Sequence, residues 1–458
     1  MWLIVLLLLT IIFIIVATTK LKLHPFLALL IAAFGYGLLC GKMSPQEVVE
    51  SVNAGFGGTI GYIGIVILAG SVIGTFLEKS GGAVKLAQRI LQLVGHKNVP
   101  LAMGIIGYIV SIPVFCDAGF VILWPLAKSL SARAKTSLAA TAIALSLGLY
   151  ATHTMVPPTP GPVAAAGILK ADLGLVILWG LFVGIFAVAA AWVFSIKFAA
   201  KVDIKVESES SDAKVRLWTT ASEQSDKDNL SAQAPSAFKS VIPIFLPILL
   251  IVLRSVSDFP NHPFGRGGLA GFIEFAGQPV VALLAGVFLA FLLPKKLTAD
   301  MFSPSGWVGE AVLAVAAIII ITGCGGAFGK VLQDSGLSEV VAERLGSKNF
   351  SVALPFLMAA ALKTAQGSST VAIIATAGAM APLIESLGLA DPTGRALTVV
   401  AIGAGSMVVS HANDSYFWVV TGLSKMSVKQ GYKLQTLGTL LEGIAAGVAL
   451  WIISLIVR

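Results

Sequence analysis

The sequence is poor in charged residues: only 12% of its 458 residues are Asp, Glu, Lys or Arg, whereas 57% are hydrophobic. Soluble domains carry about 25% charged residues, so this composition excludes a soluble globular protein. A transmembrane helix takes about 20 apolar residues, and the chain is long enough for roughly a dozen of them. We therefore expect an all-α, polytopic membrane protein.

Cysteines and catalytic motifs are also scarce. The three cysteines (Cys40, Cys116 and Cys324) are isolated, without CxxC spacing or a His/Cys cluster, so we predict no metal site and no cofactor. HExxH is absent, and no Gly-x-Ser-x-Gly surrounds the serines of the apolar segments, which argues against an intramembrane enzyme. The net charge of +8 comes from lysines and arginines scattered at the ends of apolar segments. This pattern is typical of membrane orientation and not of nucleic-acid binding.

One hydrophilic segment divides the apolar sequence. Residues 201–239 are rich in Ser, Asp, Glu and Lys and could not bury a core, so we predict an extramembrane connector. It separates an N-terminal membrane half (1–200) from a C-terminal one (240–458). The opening apolar run lacks a basic n-region and exceeds the core of a signal peptide, so we expect it to be a retained first helix.

The two halves share short motifs in the same order. The matching pairs are 70–90 with 325–345, 95–98 with 346–349, 124–130 with 381–387, and 152–153 with 410–411. Duplicated halves with Gly/Pro-interrupted segments at matching positions are typical of secondary transporters, whose substrate site lies at the repeat interface near the midplane. We therefore expect two repeats, one in each half, of which the second would be inverted if each half has an odd number of spans.

The first pair of interrupted segments predicts two re-entrant hairpins. SIPVFCDAGFVILWPL (111–126) and its mate ALKTAQGSSTVAIIATAG (361–378) each have an apolar entry, a tight polar turn and an apolar exit. Non-helical backbone is tolerated within a membrane only when it is buried in protein or lines a wet cavity. The alternative for either tip is that its small residues serve only close helix packing.

The tip of the second hairpin suits an anionic ligand. Free N–H groups at a helix N-terminus carry partial positive charge, and the hydroxyl groups of the tip add donors. Lys363, just upstream, could supply a full positive charge. The predicted substrate-binding residues of this tip are Gln366, Gly367, Ser368, Ser369 and Thr370.

Asp117 is the acidic residue most plainly set in an apolar stretch. An aspartate at the centre of a membrane costs about 2.5–3.5 kcal/mol, so it should face the protein interior or water. This placement makes it a candidate proton carrier. It could equally serve as the N-cap at the first hairpin tip, and the two roles are compatible.

The second pair of interrupted segments predicts two discontinuous helices. THTMVPPTPGP (152–162) and SHANDSYFWVV (410–420) each follow an apolar helix expected to end at a polar dipeptide. Four prolines in the first would force an extended chain. His153 and His411 occupy matching positions and titrate near neutrality, which suits proton coupling, although a lone histidine is often structural. Asp414 is a further candidate for binding a proton or sodium.

These motifs resemble the gluconate permease (GntP) family, a branch of the ion transporter superfamily of secondary carriers. The resemblance runs along nearly the whole chain and is carried by GFGGTIGYIG (55–64), PVFCDAGFVILWPL (113–126), HTMVPPTPGP (153–162), AQGSSTVA (365–372) and SHANDSYFW (410–418). It implies proton-coupled uptake of sugar acids or small hydroxy acids across the bacterial cytoplasmic (inner) membrane. The superfamily implies inverted repeats, paired re-entrant hairpins and a homodimer with an elevator-like transport domain.

The chain departs from the family pattern in one motif. Gluconate carriers of the family read PPHPGP or similar, whereas this chain has Thr159 between the prolines. Cys116-Asp117 also differs from the gluconate-specific members. A smaller hydroxy acid such as glycerate, lactate or 3-hydroxybutyrate therefore becomes an alternative to gluconate, and D-serine, carried by another branch, is a further one.

The sequence thus predicts a proton-coupled importer of a small hydroxylated carboxylate, with the carboxylate on the second hairpin tip. Besides that tip, the predicted substrate-binding residues are Cys116, His153, Thr154, Pro158, Thr159, Gly161, His411 and Asn413. The predicted proton-coupling residues are Asp117, His153, His411 and Asp414. Sodium coupling and a passive channel are the alternatives.

Overall fold

The computed structural model describes residues 2–95, 98–204, 234–258, 263–265, 267–337, 339–340 and 352–457. Within these ranges all regular secondary structure is helical, as predicted. Most of the predicted connector (205–233) lies outside the described residues. So do parts of the repeat alignment, 96–97 and 341–351.

The N-terminal half contains helices on both sides of each predicted interruption. They are α1 (Trp2–Thr19), α2 (Pro25–Leu39), α3 (Pro45–Lys79), α4 (Gly82–Val94), α5 (Val99–Val110), α6 (Cys116–Arg133), α7 (Leu138–Met155), α8 (Pro160–Ile168) and α9 (Leu173–Lys197).

The C-terminal half also contains helices on both sides of each predicted interruption. Its helices are α10 (Ala237–Ser257), α11 (Gly268–Ala276), α12 (Pro279–Ala290), α13 (Trp307–Asp334), α14 (Ala353–Gln366), α15 (Ser369–Met380), α16 (Pro392–Met407), α17 (Ser415–Leu423), α18 (Val428–Gly431) and α19 (Leu437–Val457). A single π-helical turn at residues 432–436 joins α18 to α19.

Seven helical segments of the described chain are long and apolar enough to cross a membrane, or eight if the bent pair α11–α12 counts as one. This number is below the dozen expected from length, because part of the apolar sequence forms shorter helices. Examples are Pro25–Leu39, Val99–Val110 and Ser369–Leu383. One span, formed by α7 and α8 together, has no apolar face left for lipid, since its 18-residue core is 100% buried.

The long helices α3 and α13, which are mates in the internal repeat, run antiparallel along each other. Their backbones touch at Gly55 and Gly326, where a Cβ on Gly55 would lie 2.6 Å from the Gly326 carbonyl oxygen. Toward one end of the pair, Ser51 donates a hydrogen bond to Asp334 at 2.7 Å. At the other end, Lys79 forms an ion pair with Glu310 at 2.6 Å. The pair supplies a long surface on which the interrupted helices pack.

The ends of α3 and α13 have the same local structure, as the repeat predicts. Each helix terminates at a serine, Ser80 or Ser335, in right-handed conformation. A left-handed glycine follows in both cases, Gly81 at φ 77° and Gly336 at φ 75°. A glycine carries no Cβ penalty in that conformation, so the shared Ser-Gly dipeptide specifies the same helix stop twice.

Candidate functional site

The helices are interrupted at four places, and three of these interruptions contribute residues to one cavity. They are the turn between α5 and α6 (111–115), the break between α7 and α8 (156–159), the turn between α14 and α15 (367–368), and the break between α16 and α17 (408–414). The sequence predicted all four. A cavity of about 410 Å³ lies among α6, the last turns of α7, the second hairpin tip, α17 and the long helix α13. This volume is within the usual range for small-molecule sites.

The first hairpin tip places a carboxyl group in this cavity. Helix α6 begins at Cys116 and has no side-chain cap at Phe115, so Asp117 lies in its first turn. The Asp117 carboxylate accepts a long contact from the Cys116 thiol at 3.6 Å. No lysine, arginine or histidine of the described chain forms an ion pair with Asp117. The N-terminus of α6 is the nearest favourable partner for a negative charge on Asp117.

The second hairpin tip turns at a left-handed glycine. Gly367 has φ 87°, and a Cβ at this position would overlap the carbonyl carbon and oxygen of Asn413. Ser368 then caps α15 by accepting a hydrogen bond from the backbone N–H of Val371 at 3.3 Å. Only glycine fits both the dihedral angle and the space, so the tip is held against the α16–α17 break.

Lys363 and Asp414 form an ion pair of 2.6 Å behind the second tip, with 0% and 6% of their side chains exposed. The Lys363 ammonium also donates to the Gly367 carbonyl. The expectation that Lys363 offers a free charge to an anion is therefore wrong, because Asp414 neutralises it. Asp414 in turn accepts from Ser410 at 2.5 Å and from the Tyr150 hydroxyl at 3.3 Å.

The α16–α17 break is hydrogen-bonded to the end of α14. The His411 ring lies 2.9 Å from the Thr364 carbonyl oxygen. The Asn413 amide donates to the carbonyls of Thr364 and Ala365 at 3.1 and 3.2 Å. These contacts satisfy carbonyl groups that the end of a helix leaves free. His411 thereby has a structural partner and lies outside the cavity wall.

His153 has a different environment from its repeat mate. Helix α7 continues past the predicted dipeptide to Met155, so His153 is helical and only 7% exposed. Prolines 157 and 158 then end the helix, because they have no N–H to continue it. The Nδ1 atom of His153 is buried without a hydrogen-bond partner among the described residues. The ring lines the cavity beside Phe115, with 5.9 Å between centroids.

Gln366, which lines the cavity, carries a second unsatisfied polar group. Both atoms of its amide, Oε1 and Nε2, are buried and have no hydrogen-bond partner within the described chain. Gln366 is the last residue of α14, directly before the Gly367 turn. Buried polar groups are almost always hydrogen-bonded, so an orphaned amide in a cavity wall indicates a place for a polar ligand.

Ten of the predicted site residues meet in the cavity wall: Cys116, Asp117, His153, Gln366, Gly367, Ser368, Ser369, Thr370, Asn413 and Asp414. The other five lie outside it: Thr154, Pro158, Thr159, Gly161 and His411. Thr154 is turned into α7, where its hydroxyl donates to the Tyr150 carbonyl at 3.1 Å.

The residues in and next to the α7–α8 break contact neighbouring helices and backbone instead of the cavity. The Thr159 hydroxyl donates to the Val156 carbonyl at 2.6 Å. With Pro158, Thr159 lines a separate gap of about 10 Å³ against Gly70. Gly161 lets α8 approach α15, because a Cβ there would lie 2.9 Å from Ile373. These are packing contacts outside the cavity wall.

Sequence reasoning missed several residues of the wall. These are Phe115, Tyr150, Ala314, Ile318, Ser415 and Tyr416. Tyr150 lies three residues before His153 in α7 and hence on the same helix face, a spacing that could have identified it. The contribution of α13 has no such signal, because Ala314 and Ile318 are ordinary apolar residues.

The cavity combines polar donors with little net charge. The N-termini of α6 and α15 border it and contribute partial positive charge. No lysine or arginine is among the described residues of the wall, and Lys363, which lies behind it, is paired with Asp414. No group of three or more His, Cys, Asp or Glu among the described residues is arranged to hold a metal ion. Such a site can bind a small polar ligand through hydrogen bonds and helix ends.

Comparison with known proteins shows which proteins the whole chain is similar to. The profile of the GntP family permeases matches residues 2–456. A gluconate permease of Pseudomonas aeruginosa is 33% identical over 98% of this chain and 97% of its own. The D-serine transporter DsdX of Escherichia coli is 32% identical over 100% of this chain and 99% of its own. The crystal structure of the YdaH transporter of Alcanivorax borkumensis has a similar fold, with a TM-score of 0.64 at 16% identity over 94% of this chain and 98% of that one.

Proposed function

The chain belongs to the GntP family of permeases, and from this membership we propose that it is a proton-coupled symporter for a small hydroxylated carboxylate. Family membership and the apolar helices make it a multi-pass transporter of the bacterial inner membrane and not an enzyme. The substrate class and the coupling ion are the proposed part. One observation supports both the substrate class and the coupling ion. The cavity wall contains two helix N-termini, a glutamine whose amide has no partner and a carboxyl group without an ion pair.

The substrate carboxylate is assigned to the second hairpin tip. The N-terminus of α15 provides backbone N–H groups, and Ser369 and Thr370 add hydroxyl groups at the cavity wall. We assign the substrate hydroxyls to the Gln366 amide and to His153 Nδ1, because both are without a partner in the described chain. Hydrogen bonds of this kind contribute about 0.5–1.5 kcal/mol each, and more where a charge is involved.

Asp117 couples the substrate to a proton in this scheme. A bound carboxylate and an ionised Asp117 would repel each other in a cavity that has no free cation in its described wall. The two groups share the cavity most easily with one proton between them. By linkage, a proton that favours substrate binding is itself bound more tightly when the substrate is present.

A small amino acid such as D-serine is the second candidate. Its ammonium group could pair with an ionised Asp117, and DsdX covers the whole chain at 32% identity. In that case Asp117 would be part of the substrate site and not the proton site. The two candidates therefore predict different outcomes for the same substitution.

Uptake into proteoliposomes tests the proposal. Gluconate, glycerate, lactate, 3-hydroxybutyrate and D-serine are screened under an imposed pH gradient, an imposed sodium gradient, or neither. A gradient of one pH unit is worth about 1.4 kcal/mol, which sustains about tenfold accumulation for one proton per substrate. Flux that never exceeds equilibration under either gradient would make the protein a channel. Accumulation with sodium alone would replace the proton by sodium.

Asp117→Asn then separates the two substrate classes. For a hydroxy acid, we expect the variant to lose accumulation while keeping exchange of labelled substrate across the membrane. For an amino acid, exchange is lost as well, because the ammonium partner is gone. Asp300→Asn is the matched control, since Asp300 is an exposed carboxylate in the short helical turn 299–302. If Asp117→Asn accumulates a hydroxy acid like the control, Asp117 does not carry the proton.

A further inference from the structure

The ammonium group of Lys363 lies among groups that attract a cation. It is 2.6 Å from Oδ2 of Asp414 and also donates to the carbonyl oxygen of Gly367. The centre of the Tyr150 ring lies 5.8 Å from the nitrogen, a distance at which an aromatic face attracts a cation. Because 0% of the Lys363 side chain is exposed, these groups take the place of the water that would otherwise solvate the charge.

The backbone at this place also favours a positive charge. Gly367 directly follows the last residue of α14, and the carbonyl groups at the end of a helix carry partial negative charge. In membrane carriers, the ends of interrupted helices and the unwound segments beside them are the places where sodium ions and protons are bound. The ammonium, between the end of α14 and the α16–α17 break, therefore lies where a carrier can hold a coupling ion.

Asp414 is also held by contacts that do not involve Lys363. Its carboxylate accepts hydrogen bonds from the Ser410 hydroxyl at 2.5 Å, from the Tyr150 hydroxyl at 3.3 Å and from the Tyr416 N–H at 3.1 Å. Removal of the lysine side chain would hence leave this carboxylate oriented beside the vacated space. A carboxylate and a backbone carbonyl at a helix interruption are ligands that suit a monovalent cation.

The internal repeat indicates that the architecture does not require this ion pair. Alignment of the two hairpin tips pairs Lys363 with Ile112. Alignment of the two breaks at their Thr-His and Ser-His dipeptides pairs Asp414 with Val156. The first half thus forms its turn and its break with apolar residues at both positions. The cation and its carboxylate belong to the second half alone, which also carries the tip proposed to bind the substrate.

We propose that the Lys363 ammonium is a built-in cation, which occupies a monovalent-cation site formed by Asp414 and the Gly367 carbonyl, so that no free ion binds there. A sodium ion between the tip and the break could leave and let them separate, whereas an ammonium on a side chain stays. Lys363 is then a positioning residue that keeps the tip joined to the break throughout transport. This assignment replaces the proton or sodium ion predicted for Asp414 from the sequence.

The assignment deepens the proposed function, and its consequence for coupling rests on that function. The described cavity wall contains two carboxyl groups, Asp117 and Asp414, of which only Asp117 is without an ion pair. With the cation site filled, the coupling proton is assigned to Asp117 alone, and sodium has no site at the second tip. The cation site itself involves only Lys363 and its partners, and binding to it is measurable without transport.

Lys363→Ala tests the assignment by emptying the site. The substitution removes Cγ, Cδ, Cε and Nζ, which are the heavy atoms of propylammonium. The thermal midpoint of the purified variant is measured in sodium, propylammonium or N-methylglucammonium chloride at equal ionic strength. N-methylglucammonium is too large for the vacated space. We expect sodium and propylammonium to raise the midpoint by at least about 2 °C over N-methylglucammonium, because a ligand that binds only the folded state stabilises it.

Control variants separate binding at the site from a general effect of the salt. Lys330→Ala removes the cation of the exposed pair with Asp334, which is also 2.6 Å long, and should show no such rise. Lys363→Met leaves Asp414 unpaired but fills the space, so propylammonium should not stabilise it. Lys363→Ala combined with Asp414→Asn lacks the carboxylate and should not respond either. Equal responses of Lys363→Ala and Lys330→Ala would overturn the proposal, and so would an undiminished response of the double variant.

Exchange of labelled substrate tests the same site in the membrane, with gluconate, glycerate or D-serine as the wild type selects. Exchange is measured without a gradient, because propylamine crosses a bilayer as the free base and would collapse a pH gradient. In N-methylglucammonium, we expect Lys363→Ala to exchange at least about tenfold more slowly than the wild type, since a buried charge has lost its partner. Propylammonium should recover part of this loss. Exchange at the wild-type rate in N-methylglucammonium would show that no cation is needed there.

The wild type provides a measurement that does not depend on the folding of Lys363→Ala. We expect no sodium-dependent rise of its thermal midpoint that requires Asp414. A rise that is lost in Asp414→Asn would place a free ion at this carboxylate and reject the assignment. If the wild type instead accumulates substrate under a sodium gradient alone, the proposed proton coupling fails. The response of Lys363→Ala to propylammonium then still decides whether the ammonium fills a cation site.

Discussion

Breaking the ion pair between Lys363 and Asp414 should be among the most destabilising single changes in the protein. The pair is 2.6 Å long, and 0% and 6% of the two side chains are exposed. Removing one partner leaves the other charge buried without compensation, at a cost of about 3–5 kcal/mol. We therefore expect Lys363→Met to lower the free energy of unfolding by about 3–5 kcal/mol, and Asp414→Asn by a similar amount.

The double variant should be more stable than either single one. Lys363→Met with Asp414→Asn removes both charges together, and replacing a whole buried pair is often close to neutral. Lys330→Met is the matched control, because Lys330 and Asp334 also lie 2.6 Å apart but are 40% and 30% exposed. Loss of that exposed pair should cost no more than about 1 kcal/mol.

The purified proteins are unfolded in detergent by heat and by chemical denaturant. The free energies of unfolding of the wild type, the two single variants and the double variant complete a double-mutant cycle. A coupling energy of several kcal/mol between the two substitutions is expected, since each single variant leaves an uncompensated charge. Lys363→Met as stable as Lys330→Met would refute the reasoning. So would a double variant whose loss equals the sum of the two single losses.

Three further substitutions probe the cavity and the break next to it. Gly367→Ala should reduce substrate exchange at least about tenfold, because a left-handed alanine costs about 1–2 kcal/mol and its Cβ overlaps Asn413; wild-type exchange would contradict this. Gln366→Leu should weaken substrate affinity by about tenfold at most without lowering thermal stability, since it removes two unpartnered amide atoms; a loss of stability would make Gln366 structural. Thr159→His should lower thermal stability without gaining gluconate uptake, because its neighbours leave only a gap of about 10 Å³; gained uptake would place position 159 in the site.

The interruptions of the helices were predictable because each has a local chemical cause. Prolines 157 and 158 cannot continue α7, and a glycine between polar residues at 366–368 specifies a tight turn. The internal repeat places similar motifs in both halves. For example, Ser80-Gly81 and Ser335-Gly336 end two long helices in the same way. Local sequence therefore located the four interruptions, and duplication indicated that they belong together.

The partners of the polar side chains were not predictable, because they depend on which helix ends face each other. Lys363 and Asp414 are 51 residues apart, and no spacing rule joins them. His153 and His411 match in the repeat but not in the fold: one is buried in α7, and the other caps α14. The helix of one half runs a few residues further than its mate, so equivalent residues acquire different partners.

The contacts of the second hairpin tip constrain how the carrier can move. The ion pair, the two Asn413 hydrogen bonds and the close approach at Gly367 join α14, α15 and the start of α17. Separating the tip from the α16–α17 break would expose a buried charge pair and free carbonyl groups at once, which is far costlier than sliding apolar surfaces. The tip and the break should therefore move as one unit. Because the same break also carries the hydrogen bond from the Ser410 N–H to Thr439 of α19, motion of that unit must either break this bond or take the start of α19 with it.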